Sequence, residues 1–184
     1  DAELVEIVRG MTADERVADK LVDRPTVGTC RQKPGRAFER TSYRFDILTD
    51  YGAFRDLQRH RLLTIDWQML TTSHGYSEPD AMIEAGGAAD WREVMNRSAS
   101  LHEALVDAGL PLVAQYSVSM AYRFRFVMDM NAREAMHVIE LRTAPAGHPA
   151  YRRVCQRMHR LISDVSKHDA IAARHSISYR RCTA

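Results

Sequence analysis

Residues 122–142 read Tyr-Arg-Phe-Arg-Phe-Val-Met-Asp-Met-Asn-Ala-Arg-Glu-Ala-Met-His-Val-Ile-Glu-Leu-Arg, and the periodicity changes part-way along. Tyr122, Phe124 and Phe126 alternate with Arg123 and Arg125. A period of two is that of a strand with one face buried and one wet. From Asn131 to Arg142 the spacing turns helical, with Asn131 placed to cap the first turn. Arg133 and His137 then lie one helical turn apart on one face. The same pattern occurs upstream. Tyr43, Phe45 and Ile47 alternate along a predicted strand over Phe38–Leu48, and Asp50 is placed to cap a helix running to about His60. Each strand has an aromatic face to bury, so the two are expected to pair in one sheet.

Around these two units the rest is mostly helical. Gly86 and Gly87 precede a long helix predicted from about Ala89 to Ala108, Gly109 stops it, and Pro111 opens a short helical segment. Pro149 suits the first turn of a final helix, lined by Tyr151, Val154, Cys155, Met158, Leu161, Ile162 and Val165. Residues 62–80 read as irregular, and the part after Lys167 as a polar, loose tail. Long helices with a few alternating strands give an α+β fold class. The expected division is N-terminal helices and a loop over 1–37, the main domain over 38–165, and a C-terminal tail over 166–184.

Composition narrows the function classes. Of 184 residues, 26 are Lys or Arg and 24 are Asp or Glu, for a formal net charge of +2. So even a balance argues against a general nucleic-acid binder or a polybasic membrane binder. No apolar run approaches the ~20 residues of a membrane span. The cysteines Cys30, Cys155 and Cys182 have no zinc-ligand spacing, and an odd count argues against a disulfide framework. A reducing, cytoplasmic setting is expected. The chain opens on Asp1 without a Met, which reads as an internal point of a longer protein or a trimmed start.

Two clusters could carry chemistry. Arg59-His60-Arg61 closes the helix capped by Asp50. It offers two cationic forks beside an imidazole, a set that can clamp phosphates or an electron-rich ring. A solvated basic helix C-terminus explains it as well. The second cluster is Asn131, Arg133, His137 and Arg142, which taken alone is better explained by an ordinary polar helix face. The Arg123/Arg125 strand could stack on bases, but a core face and a wet face account for it more simply. No metal-ligand spacing, phosphate-binding loop or nucleophile elbow occurs.

Taken together, the two clusters resemble flavin-dependent thymidylate synthase, the ThyX family, whose signature runs R-H-R-x-x-S-x-N-E-x-S-x-R-Y. Here the stretch is Arg59-His60-Arg61-Leu62-Leu63-Thr64-Ile65-Asp66-Trp67-Gln68-Met69-Leu70-Thr71-Thr72. The later family helix, Asn-x-Arg ending in Leu-Arg, is matched by Asn131 to Arg142, about 70 residues on. The resemblance spans roughly 38–162. It implies a central, mostly antiparallel sheet packed by long helices. It implies FAD as cofactor, contacted by Arg59, His60, Arg61, Asn131, Arg133 and His137, with Arg142 on the substrate, dUMP. It implies a homo-oligomer with flavin sites between subunits. It also implies methylene transfer from methylenetetrahydrofolate with NADPH as reductant, should the chain be active, and no enzyme nucleophile, so no catalytic residue is assigned.

The departures point the other way. Thr64 and Asp66 are mild changes. Trp67 stands for a Glu near the flavin, Met69 for the signature Ser, and Thr71 for an Arg that holds the dUMP phosphate. A further phosphate-binding Arg of the family falls on Gln115. Longer proteins resembling two such domains in tandem are known, and the runs Pro34–Arg40 and Gly147-His148-Pro149 resemble their C-terminal half. Two classes therefore stay open. One is a flavin-dependent methyltransferase or half of one. The other is a non-catalytic structural or nucleotide-binding domain that pairs with a second ThyX-like domain.

Overall fold

The computed structural model describes Pro34, residues 36–168, Ile171 and Ala172. The predicted N-terminal helices lie outside the described residues. A 3-10 turn at Arg36–Arg40 leads into β1 (Ser42–Asp50), followed by α1 (Tyr51–Leu57) and β2 (Thr64–Trp67). Next come α2 (Asp80–Glu84), α3 (Ala88–Asp107) and α4 (Pro111–Ala114), continued by a 3-10 turn at Gln115–Ser117. The chain closes with β3 (Arg123–Asn131), α5 (Ala132–Arg142) and α6 (Pro149–Asp164). The strands form one antiparallel sheet in the order β1-β3-β2. The α+β class and the pairing of the two aromatic strands are as the periodicity required.

Boundaries shifted where local chemistry outweighed pattern. Phe38 belongs to the 3-10 turn, and β1 begins at Ser42. The helix capped by Asp50 ends at Leu57, so the Arg59-His60-Arg61 run follows it on the connection to β2. β2 lies inside the stretch expected to be irregular, and α2 begins at its last residue, Asp80. β2 is only four residues long and mostly exposed, so it has no buried face to leave a period in the sequence. Caps behaved as their chemistry dictates. Asp50 accepts from the Ala53 N–H at 2.8 Å and Asn131 from the Glu134 N–H at 2.9 Å. Gly109 ends α3 in the left-handed region at φ 77°.

The fold divides into two compact units, and the long strands run through both. The first holds the described residues up to Phe45, residues 60–64 and those from Met128 onward. Tyr43, Phe45, Met128 and Met130 are buried there, as are Met136, Val138 and Ile139 of α5 and Cys155, Met158 and Ile162 of α6. The wet side of its strands carries Arg44, whose Nε donates to Asp129 at 3.1 Å. Of the expected tail, only Ser166 to His168, Ile171 and Ala172 are among the described residues. His168 is buried with its Nδ1 2.7 Å from the Tyr43 hydroxyl, and Ile171 and Ala172 are buried too.

The second unit holds residues 46–59 and 65–127. The rings of Phe124 and Phe126 each meet Phe54 edge-on at 4.8 Å. On the opposite face Arg125 makes a two-point pair with Asp46, Nε to Oδ1 at 3.0 Å. Core face and wet face thus account for the aromatic/arginine alternation. A smaller cluster of Met95, Val118 and Tyr122 anchors α3, with the Tyr122 hydroxyl donating to the Met95 carbonyl at 2.6 Å.

Candidate functional site

Within the first unit the two motifs meet. His60 comes from the segment before β2, and Arg142 from the last turn of α5. The Arg142 Nε–H donates to His60 Nε2 at 3.0 Å. The His137 ring stands edge-on to His60, centroids 5.7 Å apart. The other face of His60 meets Glu134, with Nδ1 3.5 Å from Oε1 and both side chains only 5% exposed. The Arg142 guanidinium lies over the Tyr151 ring at 5.3 Å, a cation–π arrangement that holds the fork flat. Cys155 is buried nearby. Desolvation pushes its thiol up to about 12 despite the opposing charge of Arg142, so it has no nucleophilic thiolate.

The remaining motif residues are placed separately. Asn131 spends its side-chain oxygen on capping α5, so its amide nitrogen is the end able to donate to a ligand. Arg133 turns to the start of the described chain, with Nη1 donating to Glu39 at 2.6 Å and Nε to the Pro34 carbonyl at 3.0 Å. That bond from Arg133, joined by Arg36, holds the Glu39 carboxyl below the usual range. Arg61 is exposed in the first unit. Arg59 belongs to the second, where its Nε donates to the Arg55 carbonyl at 3.2 Å and its exposed fork lies 3.6 Å from Asp56. Such exposed pairs are weak and give way to a stronger anion.

The second unit also holds Thr71 and Gln115, where the resemblance leads one to expect phosphate-binding arginines. The Gln115 Oε1 accepts from the Leu70 N–H at 3.1 Å, bringing Gln115 against the segment that carries Thr71. The Thr71 hydroxyl bonds Ser73 at 2.8 Å. Trp67 and Met69 are 58% and 50% exposed. Neither Gln115 nor Thr71 carries a charge.

Glu134 and Tyr151 were not singled out by the sequence. Glu134 reads as a polar neighbour on a helix, and Tyr151 as one apolar position of α6. Their burial beside His60 and Arg142 depends on long-range packing. The available signal was an acidic residue three positions after a capping Asn.

The family model described as "Thymidylate synthase complementing protein" matches residues 7–166. The chain belongs to this family. A UPF0159 protein of Chlamydia pneumoniae is 42% identical over 124 residues, covering 67% of this chain and 23% of that protein. One from Chlamydia muridarum is 41% identical with the same coverage. One from Thermoplasma acidophilum is 36% identical over 152 residues, covering 82% of this chain and 29% of that protein. The chain therefore spans about a quarter of the length of these curated relatives. No helix among the described residues is long and apolar enough to cross a membrane.

Proposed function

We propose that this chain is a flavin-binding domain of the thymidylate synthase complementing protein family whose dUMP site is degenerate, and that it does not transfer a methyl group alone. The observation that carries the reading is the meeting of His60 with His137 and Arg142, residues of two motifs far apart in sequence. The donor chemistry suits the cofactor. Arg59 and Arg61 are exposed cations for a diphosphate, and the Asn131 amide and the His137 ring are polar groups for its edges. Arg133 would act from its seat on Glu39. When bound, flavin would supply the redox and one-carbon chemistry that the resemblance implies, and only then would NADPH and methylenetetrahydrofolate matter. On the substrate side, Arg142 is fixed by His60 and Tyr151 and can orient a pyrimidine. Thr71 and Gln115 supply no charge for a phosphate.

Pairing with a second copy or a second ThyX-like domain belongs to the same reading. α3 runs for 20 residues and buries only Met95. Its Val94 and Leu101 are exposed, as are Leu112 and Val113 of α4, and Tyr116 is 92% exposed. Exposed apolar side chains at this density characterise an interface. Titration with FAD tests the main claim. We expect a spectral shift on binding, lost in the double variant Arg59→Ala with Arg61→Ala. Tritium release from dUMP labelled at carbon five should be absent with FAD and NADPH supplied. No spectral change with the unmodified protein would refute flavin binding, and robust tritium release would refute the degenerate site. Light scattering that finds a monomer at high concentration would remove self-pairing.

A further inference from the structure

His60 sits between a group that can only donate and a group that, when ionised, can only accept. A guanidinium has no lone pair to offer, so the bond from Arg142 requires the Nε2 lone pair of His60. In a neutral imidazole the proton is then on Nδ1, the atom that faces Glu134 Oε1 at 3.5 Å. That distance is at the outer edge of hydrogen bonding, so the attraction is mainly electrostatic. Glu134 lies in the first turn of α5, where the helix dipole favours a carboxylate. The three groups make a directed chain from Arg142 through His60 to Glu134.

The same residues also have the spacing of a metal site. One ligand atom each from His60, Glu134 and His137 lies within 4.8 Å of the others. Polarity excludes that use of the geometry. A cation bound through Nε2 would have to displace the Arg142 donor, and one bound through Nδ1 would take that lone pair and move the ring proton to Nε2. Two donors would then face each other at the Arg142 contact, and a dication would sit beside a fixed guanidinium. Metal-bound histidines instead donate their second N–H to an acceptor.

We propose that Glu134 is a positioning residue that locks His60 in the Nδ1–H tautomer, so that the Nε2 lone pair holds the Arg142 guanidinium in its ligand-facing place. Its bearing on ligand affinity rests on the flavin reading above, whereas the tautomer itself does not.

Long-range proton–nitrogen correlation spectra of the full chain, with His60 assigned through His60→Gln, read the tautomer directly. We expect a pyrrole-like Nδ1 and a pyridine-like Nε2 near neutral pH. Glu134→Gln keeps the shape, removes the charge and should mix the two tautomers. FAD affinity should then drop by about tenfold through His60 itself, a flavin contact in that reading, with Glu134→Asp recovering part of it. A protonated Nε2 in the unmodified protein would overturn the proposal, and that measurement needs no variant to fold. So would a tautomer unchanged in Glu134→Gln, or FAD affinity unchanged once the tautomer is mixed. One-to-one binding of Zn²⁺ through His60 Nδ1 would overturn it in favour of a metal centre. Should FAD not bind at all, the nitrogen shifts still decide the tautomer, so the two failures are separable.

Discussion

Thr71→Arg should restore part of a phosphate site. In the second unit the Thr71 hydroxyl engages only its near neighbour Ser73 among the contacts described, so the substitution leaves no buried acceptor stranded. A charge-assisted bond to a phosphate contributes roughly 1.5–3 kcal/mol, which corresponds to about 10- to 150-fold in affinity. Gln115→Arg should gain less. The Gln115 Oε1 accepts from the partly buried Leu70 N–H at 3.1 Å, and an arginine cannot accept. Leaving that donor unpaired costs about 1–3 kcal/mol, enough to offset most of the new contact. Calorimetric titration with dUMP and, in parallel, deoxyuridine separates the phosphate contribution from that of the pyrimidine. We expect Thr71→Arg to tighten dUMP at least tenfold and leave deoxyuridine unchanged, and Gln115→Arg to change either one little. Equal gains for both ligands, or none for Thr71→Arg, would show that this segment is not the phosphate position and that the motif register is wrong.

Other outcomes follow from the packing and the charges. Phe54→Ala empties the centre of the second unit's aromatic cluster and should cost about 3–5 kcal/mol, read as a lower denaturant midpoint; a loss under 1 kcal/mol would contradict the edge-on packing on Phe124 and Phe126. Glu39, Asp46 and Glu78 are held below their ordinary values, first by bonds from Arg133, Arg125 and Arg92 respectively. A depressed folded value adds stability above the unfolded value and loses it as pH falls through the folded one. The thermal midpoint should therefore drop on acidification below about pH 4, more steeply than in Arg125→Gln; parallel profiles would deny the Arg125–Asp46 pair a role. Cys155, buried with its thiol near 12, should resist thiol reagents in a Cys30→Ser, Cys182→Ser background until the protein unfolds. Rapid labelling at neutral pH would mean that the α6 core opens readily.

What could be read from the sequence was what local chemistry decides. The aromatic strands announced themselves because Tyr43, Phe45, Phe124 and Phe126 each have a single face to bury, and the sheet pairs them as expected. Asp50, Asn131 and Pro149 marked helix starts because an unsatisfied N–H or a fixed φ acts within one turn. β2 escaped notice for the converse reason. Its edge position leaves it nearly all exposed, and its pairing partner lies some 60 residues away. The site was half legible. The motif residues are visible in the chain, but nothing local says that Arg133 turns to Glu39 while Arg142 turns to His60. Spacing placed Arg133 and His137 on one helix face, and tertiary partners then separated their roles.

In the proposed reading, family membership and parent chemistry come apart at particular residues. The positions matched to flavin retain their cations and imidazoles in Arg59, His60, Arg61 and His137. The positions this reading matches to the substrate phosphate are Thr71 and Gln115, and the Gln115 Oε1 accepts a bond from the Leu70 N–H that an arginine could not accept. Arg142, which the resemblance assigns to the substrate, is bonded to His60 and lies over the Tyr151 ring within its own unit. A guanidinium held this way is oriented in advance, which lowers the cost of ordering it on a planar ligand. The pattern of loss therefore falls hardest on a dianionic nucleotide and least on the planar part of a ligand. A domain changed in this way can keep a flavin-sized partner while giving up the substrate that defines the parent reaction.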